Sequence, residues 1–385
     1  MTTNRCASLG RMTKGRVIVA MSGGVDSSVA ALLLHRQGYD VIGVTMRLWT
    51  ADQEDVPKHS KRCCSVEDVD DARRVCQTIG VPHYVQNFER EFQENVVEYF
   101  VREYERGRTP HPCLACNDKI KFDFLLRRAM LLDADYIATG HYARIRSEEA
   151  EYQLLKGIDT SKDQSYVLFT LRQPELSRLL FPVGEYPKTR IREIASEADL
   201  PVADKPDSQE ICFIPDGDYR KFVGERSQPR KGAYVDIQGK VIGEHPGVQF
   251  FTIGQRRKLG LEGNTKDPLF VTKIDAETNV VTLASKEHLY QDRMWASRVN
   301  YVASVKEGVP LDVTAKIRYK ASEAKAVVVP HGAWLAIKFD EPQRAVTPGQ
   351  AVVFYKGDQL IGGGLIELGP DVPDNVQNQE LLATV

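Results

Sequence analysis

The chain has 385 residues, more than one hydrophobic core usually serves, so two or three domains are expected. With 42% hydrophobic and 27% charged residues it has an ordinary globular composition, and no apolar run approaches the roughly twenty residues of a membrane helix, so no membrane partner is expected. The net charge of −2 arises from 51 basic and 53 acidic residues, a balance that neither implies nor excludes a nucleic-acid partner. Seven cysteines, an odd number in a long chain, do not read as a secreted disulfide framework. They are thiols of a reducing compartment, and the cytoplasm is the expected location. The opening MTTNRCASLGRMTKG has Arg and Lys without acid, faintly like a transit peptide, but it is short and weakly apolar, and Met12 serves equally well as a start.

Val17 to Ala20 is a short β-branched run, Ser27 to Gln37 has helical apolar spacing, and Val41 to Met46 reads as a second strand. Ser65 precedes a helix with apolar face Val69, Ala72, Val75, Cys76 and Ile79, stopped at Gly80 and Pro82. His83 to Val85 is a third strand and Glu89 to Arg106 a long amphipathic helix. The loop TPHPCLACN leads into a helix over IKFDFLLRRAMLL, with Asn117 or Asp118 as its cap, and DYIATGHY supplies a fourth strand. Alternating strands and helices predict a parallel sheet covered on both faces. The alternation weakens after Ala143; a helix around Lys188 to Ala198 follows, then a Pro- and Asp-rich passage. Beyond Asp218 come short alternating runs at Tyr234 to Ile237, Leu269 to Ile274 and Val280 to Leu283. From Met294 on, LDVTAKIRY, KAVVVP, WLAIKFD and QAVVFY read as a small all-β barrel.

Between the first strand and helix lies Ser22-Gly23-Gly24-Val25-Asp26-Ser27-Ser28. A helix N-terminus offers unpaired N–H groups, the glycines let the backbone approach oxygen atoms, and the serines add hydroxyl donors, so a phosphate chain is the natural ligand. Asp26 repels phosphate unless a cation intervenes, which makes it the expected Mg²⁺ holder. The lysine with which a Walker loop stabilises γ-phosphoryl transfer is missing. A loop that grips pyrophosphate as the leaving group, exposing the α-phosphate to attack, fits better; a glycine turn with a serine cap is the simpler alternative. SGGVDSS resembles the PP-loop of the ATP pyrophosphatase superfamily, which implies adenylation of a carbonyl-type oxygen followed by displacement of AMP.

Cys113 and Cys116 lie beside a predicted helix start, with Lys119 and Lys121 following, so thiolate character is expected there. Cys212 sits in DSQEICFIP. Half of a zinc site, a redox CxxC and a sulfur relay compete as readings; zinc needs a fourth ligand from Cys63, Cys64 or a histidine. A structural thiol is the simpler reading, kept for Cys76 and Cys6. Cys63 and Cys64 have no assigned role.

The segments AMSGGVDSSVAA, GRTPHPCLACNDKIKF, DYIATGHYAR, DTSKDQSYVLF, PDSQEICFIP, HPGVQFFTIGQRRKLGL, IRY and TPGQAVVFY, in that order, resemble the tRNA-specific 2-thiouridylases nearly end to end. The resemblance implies an α/β chain. A Rossmann-like parallel sheet with its PP-loop (1–218) is followed by a small β-rich central domain (219–292) and a C-terminal tRNA-binding β-barrel (293–385). It also implies ATP-dependent thiolation of the wobble uridine at C2, with AMP and pyrophosphate released. Cys116 takes the nucleophile position and Cys212 that of the persulfide carrier. Ala20, Met21, Ser22, Gly23, Gly24, Val25, Asp26, Ser27, Met46 and Gly140 match ATP-binding positions. His111, Pro112 and Cys113 match the segment that meets the base. His141, Lys162, Asp163, Gln164, Arg318, Tyr319 and Gln350 match tRNA-contacting positions. Some members have an acid where this chain has Cys113, so a [4Fe–4S] cluster on Cys113, Cys116 and Cys212 is the alternative sulfur source. ATP and Mg²⁺ are the expected cofactors, and the tRNA anticodon loop and a sulfur-donor or relay protein the expected partners of a monomer. Phe250, Phe251, Gln255, Arg256, Arg257, Lys258, Arg230, Lys231 and Lys320 are further candidates for the RNA surface. Rival readings are an ammonia-using PP-loop synthetase, a 4-thiouridine synthase and a non-catalytic tRNA-binding protein.

Overall fold

The structure is a computed structural model that describes residues 14–49, 66–148, 151–207, 211–214, 217–261 and 268–368. Cys6, Cys63, Cys64 and the first twelve residues, on which expectations were placed above, lie outside the described residues.

The first module is built on β1 (Arg16–Ala20), α1 (Val25–Arg36), β2 (Asp40–Arg47), α2 (Val66–Ile79), β3 (His83–Asn87) and β4 (Tyr136–Ala138). The hairpin strands β5 (Ala143–Glu148) and β6 (Glu151–Lys156) follow, then β7 (Leu179–Leu180). A five-stranded, all-parallel sheet runs β3-β2-β1-β4-β7. Alternate residues of β1 face opposite sides: Ile18 and Ala20 enter one core, Val17 and Val19 the other. This is why RVIVA is apolar throughout: a central parallel strand is covered on both faces. The strand order reverses between β1 and β4, and crevices at such a switch point, beyond the carboxyl ends of the strands, hold ligands in open α/β sheets. Among the described residues no helix is long and apolar enough to cross a membrane.

The central module comprises β8 (Gly232–Val235), β9 (Val241–His245), β10 (Phe270–Asp275) and β11 (Val280–Ala284). Its sheet runs β10-β11-β8-β9 over a small core of Tyr234, Val248, Phe251, Val271, Val281 and Leu283. The third module contains β12 (Tyr290–Tyr301), β13 (Leu311–Lys316), β14 (Ala324–His331), β15 (Trp334–Arg344), β16 (Ala351–Lys356) and β17 (Gln359–Glu367). The antiparallel order β12-β15-β14-β13-β16-β17 returns to β12, closing a six-stranded barrel. Closure removes exposed strand edges.

The hairpin β5–β6, absent from the sequence reading, extends the barrel sheet through the Leu155–Gln359 pair. Arg144 donates to the Lys156 carbonyl at 2.6 Å and to Asp358 at 3.0 Å. The charged sequence RIRSEEAEYQLLK hides this strand pair because only its inner ends, such as Leu154 and Leu155, are buried.

A second tie between modules is a buried ion-pair group. Arg108 donates to Glu103 at 2.7 Å and forks onto Glu367, which also accepts from Ser297 at 2.6 Å. All three charged side chains are less than a tenth exposed. Arg108→Met is therefore expected to lower unfolding stability by about 3–5 kcal/mol, because two carboxylates lose a buried partner. Urea melts read this directly. Triple replacement by apolar residues of similar size should restore most of the loss, as burying the charges itself costs free energy.

Candidate active site

The phosphate loop sits at the switch point. Gly24 is the N-cap of α1 in an extended conformation with no side-chain cap, so the first N–H groups of the helix are left for a ligand. Gly23 takes φ +70°, and a Cβ there would lie 2.4 Å from the Asp68 carbonyl oxygen, so α2 packs directly on the loop. A Cβ at Gly140 would lie 2.6 Å from the Ser27 nitrogen; a side chain at this position would lift β4 off the start of α1. Ser27 holds the turn through its hydroxyl, accepting from Ser22 N–H at 3.2 Å and donating to the Gly24 carbonyl at 3.2 Å. Ser28 is fully buried and donates back to the Gly24 carbonyl at 2.8 Å, so it is not the free donor expected of it. Ala20, Met21, Val25 and Met46 are also buried.

The missing lysine arrives from elsewhere. Lys188, the first residue of the helix Lys188–Glu197, places Nζ 2.7 and 2.9 Å from the two Asp26 carboxylate oxygens and 2.9 Å from Asp207. Tyr142 donates to Asp26 at 2.7 Å, and burial followed by the Asp26 charge holds its hydroxyl far above the usual range. Asp26 is thus occupied by Lys188 and Tyr142. Lys205 donates to the Gly23 carbonyl at 2.9 Å and pairs with Asp68 at 2.6 Å and Asp71 at 2.7 Å. Burial works to raise the Asp207 carboxyl, but Lys162 and Lys188 outweigh it and bring it down to about 2. Cations and carboxylates here neutralise one another, and an incoming phosphate chain competes for the cations.

The helix that presents Cys113 and Cys116 starts earlier than expected. It runs continuously through Pro112–Ala115, Cys116–Leu125 and Leu126–Leu131, with His111 as N-cap and Pro112 at its first position. Proline is tolerated there because that N–H has no intrahelical partner. Asn117 is not a cap: it is buried and donates to the Val167 carbonyl at 3.1 Å. The helix winds more widely, in π-helical turns, from Cys116 on, a local departure common at functional sites. Cys113 is exposed, Cys116 and Cys212 are half-buried, and none is in a disulfide. Cys116 and Cys212 both pack against the same core cluster. Cys76 faces the interior, where burial pushes its thiol up to about 11, so it stays protonated and inert.

An aromatic group forms beside Cys113. His111 lies 6.0 Å from the Tyr166 ring and 6.2 Å from that of Tyr319. Burial lowers His111 to about 4, so its ring is neutral at physiological pH, and its Nδ1 is buried without a partner. Burial, then Asp163 and Cys113, push the Tyr319 hydroxyl up to about 12; Gln164 hydrogen-bonds it. Gln164 in turn accepts from Tyr142 N–H at 3.0 Å, so bonds run from Asp26 through Tyr142 and Gln164 to Tyr319. Gln350 donates to the Thr109 carbonyl at 2.8 Å and braces the same loop.

Residues 15–216 match the family described as tRNA methyl transferase HUP domain, residues 220–285 the tRNA methyl transferase PRC-barrel domain, and residues 291–366 the aminomethyltransferase beta-barrel domain. The chain is 51% identical over 357 residues to the tRNA-specific 2-thiouridylase MnmA 2 of Caldanaerobacter subterraneus subsp. tengcongensis, spanning 91% of this chain and 98% of that one. The chain belongs to the tRNA-specific 2-thiouridylase family. Another member, MnmA of Carboxydothermus hydrogenoformans, is 49% identical over 357 residues, covering 91% and 97%. A solved 4-thiouridine synthetase–RNA complex with bound ATP is 16% identical with a TM-score of 0.34, covering 55% of this chain and 50% of that one.

In this thiouridylase-family chain several matched positions serve internal bonds. His141 is buried, bonded through Nδ1 to Thr139 at 2.6 Å and set among Phe122 and Phe181; burial and Lys121 lower its pKa well below the usual value. Asp163 is likewise buried and accepts from Gly157 N–H and Ser165 N–H, both at 3.1 Å. Lys162 is part-exposed and pairs with Asp207 at 2.9 Å. Among the described residues, no group of three or more His, Cys, Asp or Glu side chains is placed to hold a metal ion. Sequence reasoning missed Lys188, Lys205 and Asp207. One signal was available for Lys188: a lysine opening a helix opposes the helix dipole and needs a carboxylate partner.

Proposed function

We propose that this family member makes 2-thiouridine at the wobble position of tRNA, using ATP and a sulfane sulfur carried on Cys212. The observation that carries the reading is the run of hydrogen bonds from Asp26 of the lysine-supplied phosphate loop through Tyr142 and Gln164 to Tyr319, which lies close enough to Cys113 to feel its charge. The family names that speak of methyl transfer find no support in such a site, whereas a thiol pair and a phosphate loop serve adenylation followed by sulfur attack.

The uridine C2 oxygen attacks the ATP α-phosphate and pyrophosphate leaves, held by the α1 N-terminus with Lys188 and Lys205. Mg²⁺, bound with ATP and held by Asp26 once phosphate has drawn Lys188 away, would neutralise phosphate charge. The terminal sulfur of a Cys212 persulfide attacks C2 and AMP leaves with the C2 oxygen. The Cys116 thiolate then attacks the Cys212 sulfur. A Cys116–Cys212 disulfide forms, the sulfur remains on C2, and a dithiol reductant restores both thiols. A sulfur-relay protein of persulfide chemistry reloads Cys212. The cluster route has no support from the placement of the three thiols.

The test uses full-length protein, unmodified tRNA, Mg-ATP and a persulfide donor, followed by nucleoside mass spectrometry. One 2-thiouridine per tRNA, with stoichiometric AMP and pyrophosphate, is expected. Methylated nucleoside, or thiolation without ATP, would overturn the reading.

A further inference from the structure

We infer that Arg318 and Arg344 together form a seat for the phosphodiester next to the target base, with Arg344 as its second, unassigned member. The inference rests on the tRNA reading above and adds to it.

The guanidinium of Arg318 donates to the backbone carbonyl of Arg344, so the two side chains share one corner of the barrel. Burial and the charge of Arg344 both work to lower the Arg318 pKa. Among the described residues neither arginine makes an ion pair, and the Nε of each is buried with no hydrogen-bond partner. Two adjacent cations with unsatisfied buried donors are costly, and a protein retains them where an anion completes the site. Arg344 is held in place by Phe270 of the central module, its guanidinium 5.7 Å from the ring centroid.

Position selects the anion. On one side Arg318 adjoins Tyr319, whose ring faces His111 at 6.2 Å beside Cys113. On the other, a Cβ at Gly254 would lie 2.9 Å from the Ala345 Cβ, and Gly254 opens the loop with exposed Arg256, Arg257 and Lys258. The pair lies between this exposed basic segment and the Tyr319–His111 aromatic group beside Cys113. A base flipped against that group places its own backbone beside the arginines, where guanidinium forks match phosphate oxygens in pairs.

The experiment measures binding of an anticodon stem-loop across a salt series, for wild type and Arg344→Gln, with urea melts alongside. Arg344→Gln is expected to bind about tenfold more weakly, with a salt slope reduced by about one counterion, and to be as stable as wild type or more so. Stem-loops with one neutral methylphosphonate on the 5′ or 3′ side of the target uridine locate the contact. At one of these linkages the substitution should weaken wild type about tenfold and leave Arg344→Gln unaffected. Wild-type affinity and slope in the variant, a loss of stability in place of binding, or effects that multiply at both linkages would each overturn the seat. A wild-type protein that fails to bind the unmodified stem-loop would instead overturn the tRNA reading.

Discussion

Cys212→Ser is expected to release pyrophosphate from ATP in the presence of tRNA and to make no 2-thiouridine, a loss beyond about 10³-fold. A serine hydroxyl cannot carry a sulfane sulfur, while the phosphate loop and its lysines are untouched by the change. Under the proposed mechanism Cys116→Ser is expected to fail one step later: with no thiolate to attack the Cys212 sulfur once the persulfide sulfur has reached C2, tRNA should stay attached to Cys212 through a disulfide. Denaturing gels should show a tRNA–protein adduct that dithiothreitol dissolves, with thiouridine released as it does so. Both thiols are half-buried on the margin of one core cluster, so serine, which is nearly isosteric, leaves packing intact. Normal thiolation by Cys212→Ser would remove the persulfide role. An adduct retained on Cys116 in the other variant would reverse the two assignments.

Lys188→Met is expected to slow pyrophosphate release by about 10²–10³-fold while tRNA affinity stays within about twofold of wild type. Lys188 and Lys205 both stand against the loop, and Lys188 contacts both carboxylate oxygens of Asp26. Charge develops on the bridging oxygen as pyrophosphate departs, and a largely dehydrated ammonium is worth most at that point. The fold tolerates its removal, because Asp207 keeps Lys162 at 2.9 Å and Arg192 at 3.0 Å, and Asp26 keeps Tyr142. Single-turnover pyrophosphate release and a filter-binding assay separate the two effects. Turnover within about threefold of wild type would reduce Lys188 to a structural cation.

Much of the first module could be read locally. The β-branched run before SGGVDSS, the helical spacing after it and the turn at Gly38 all lie within one βαβ unit, where local preference and tertiary position agree. Boundaries failed where a neighbour decided them. Asn117 has the composition of a cap, but the Val167 carbonyl claims its amide, and the helix instead starts at Pro112. The β5–β6 hairpin has too few buried apolar residues to show a period of two, and its partner Gln359 lies some two hundred residues away.

The sequence by itself determined the shape of the phosphate loop, the run of strands and helices around it, and the presence of thiols suited to sulfur chemistry. These depend on backbone preferences and residue chemistry within a few positions of one another. Only the tertiary structure decided which charges meet that loop and which aromatic side chains stand beside Cys113. Lys188 reaches Asp26 across 162 positions of chain, and Tyr319 reaches His111 from another module. Pairings of that kind have no local period or spacing; they exist because sheet order and barrel closure bring distant segments together, where burial makes each unpaired charge too costly to leave alone.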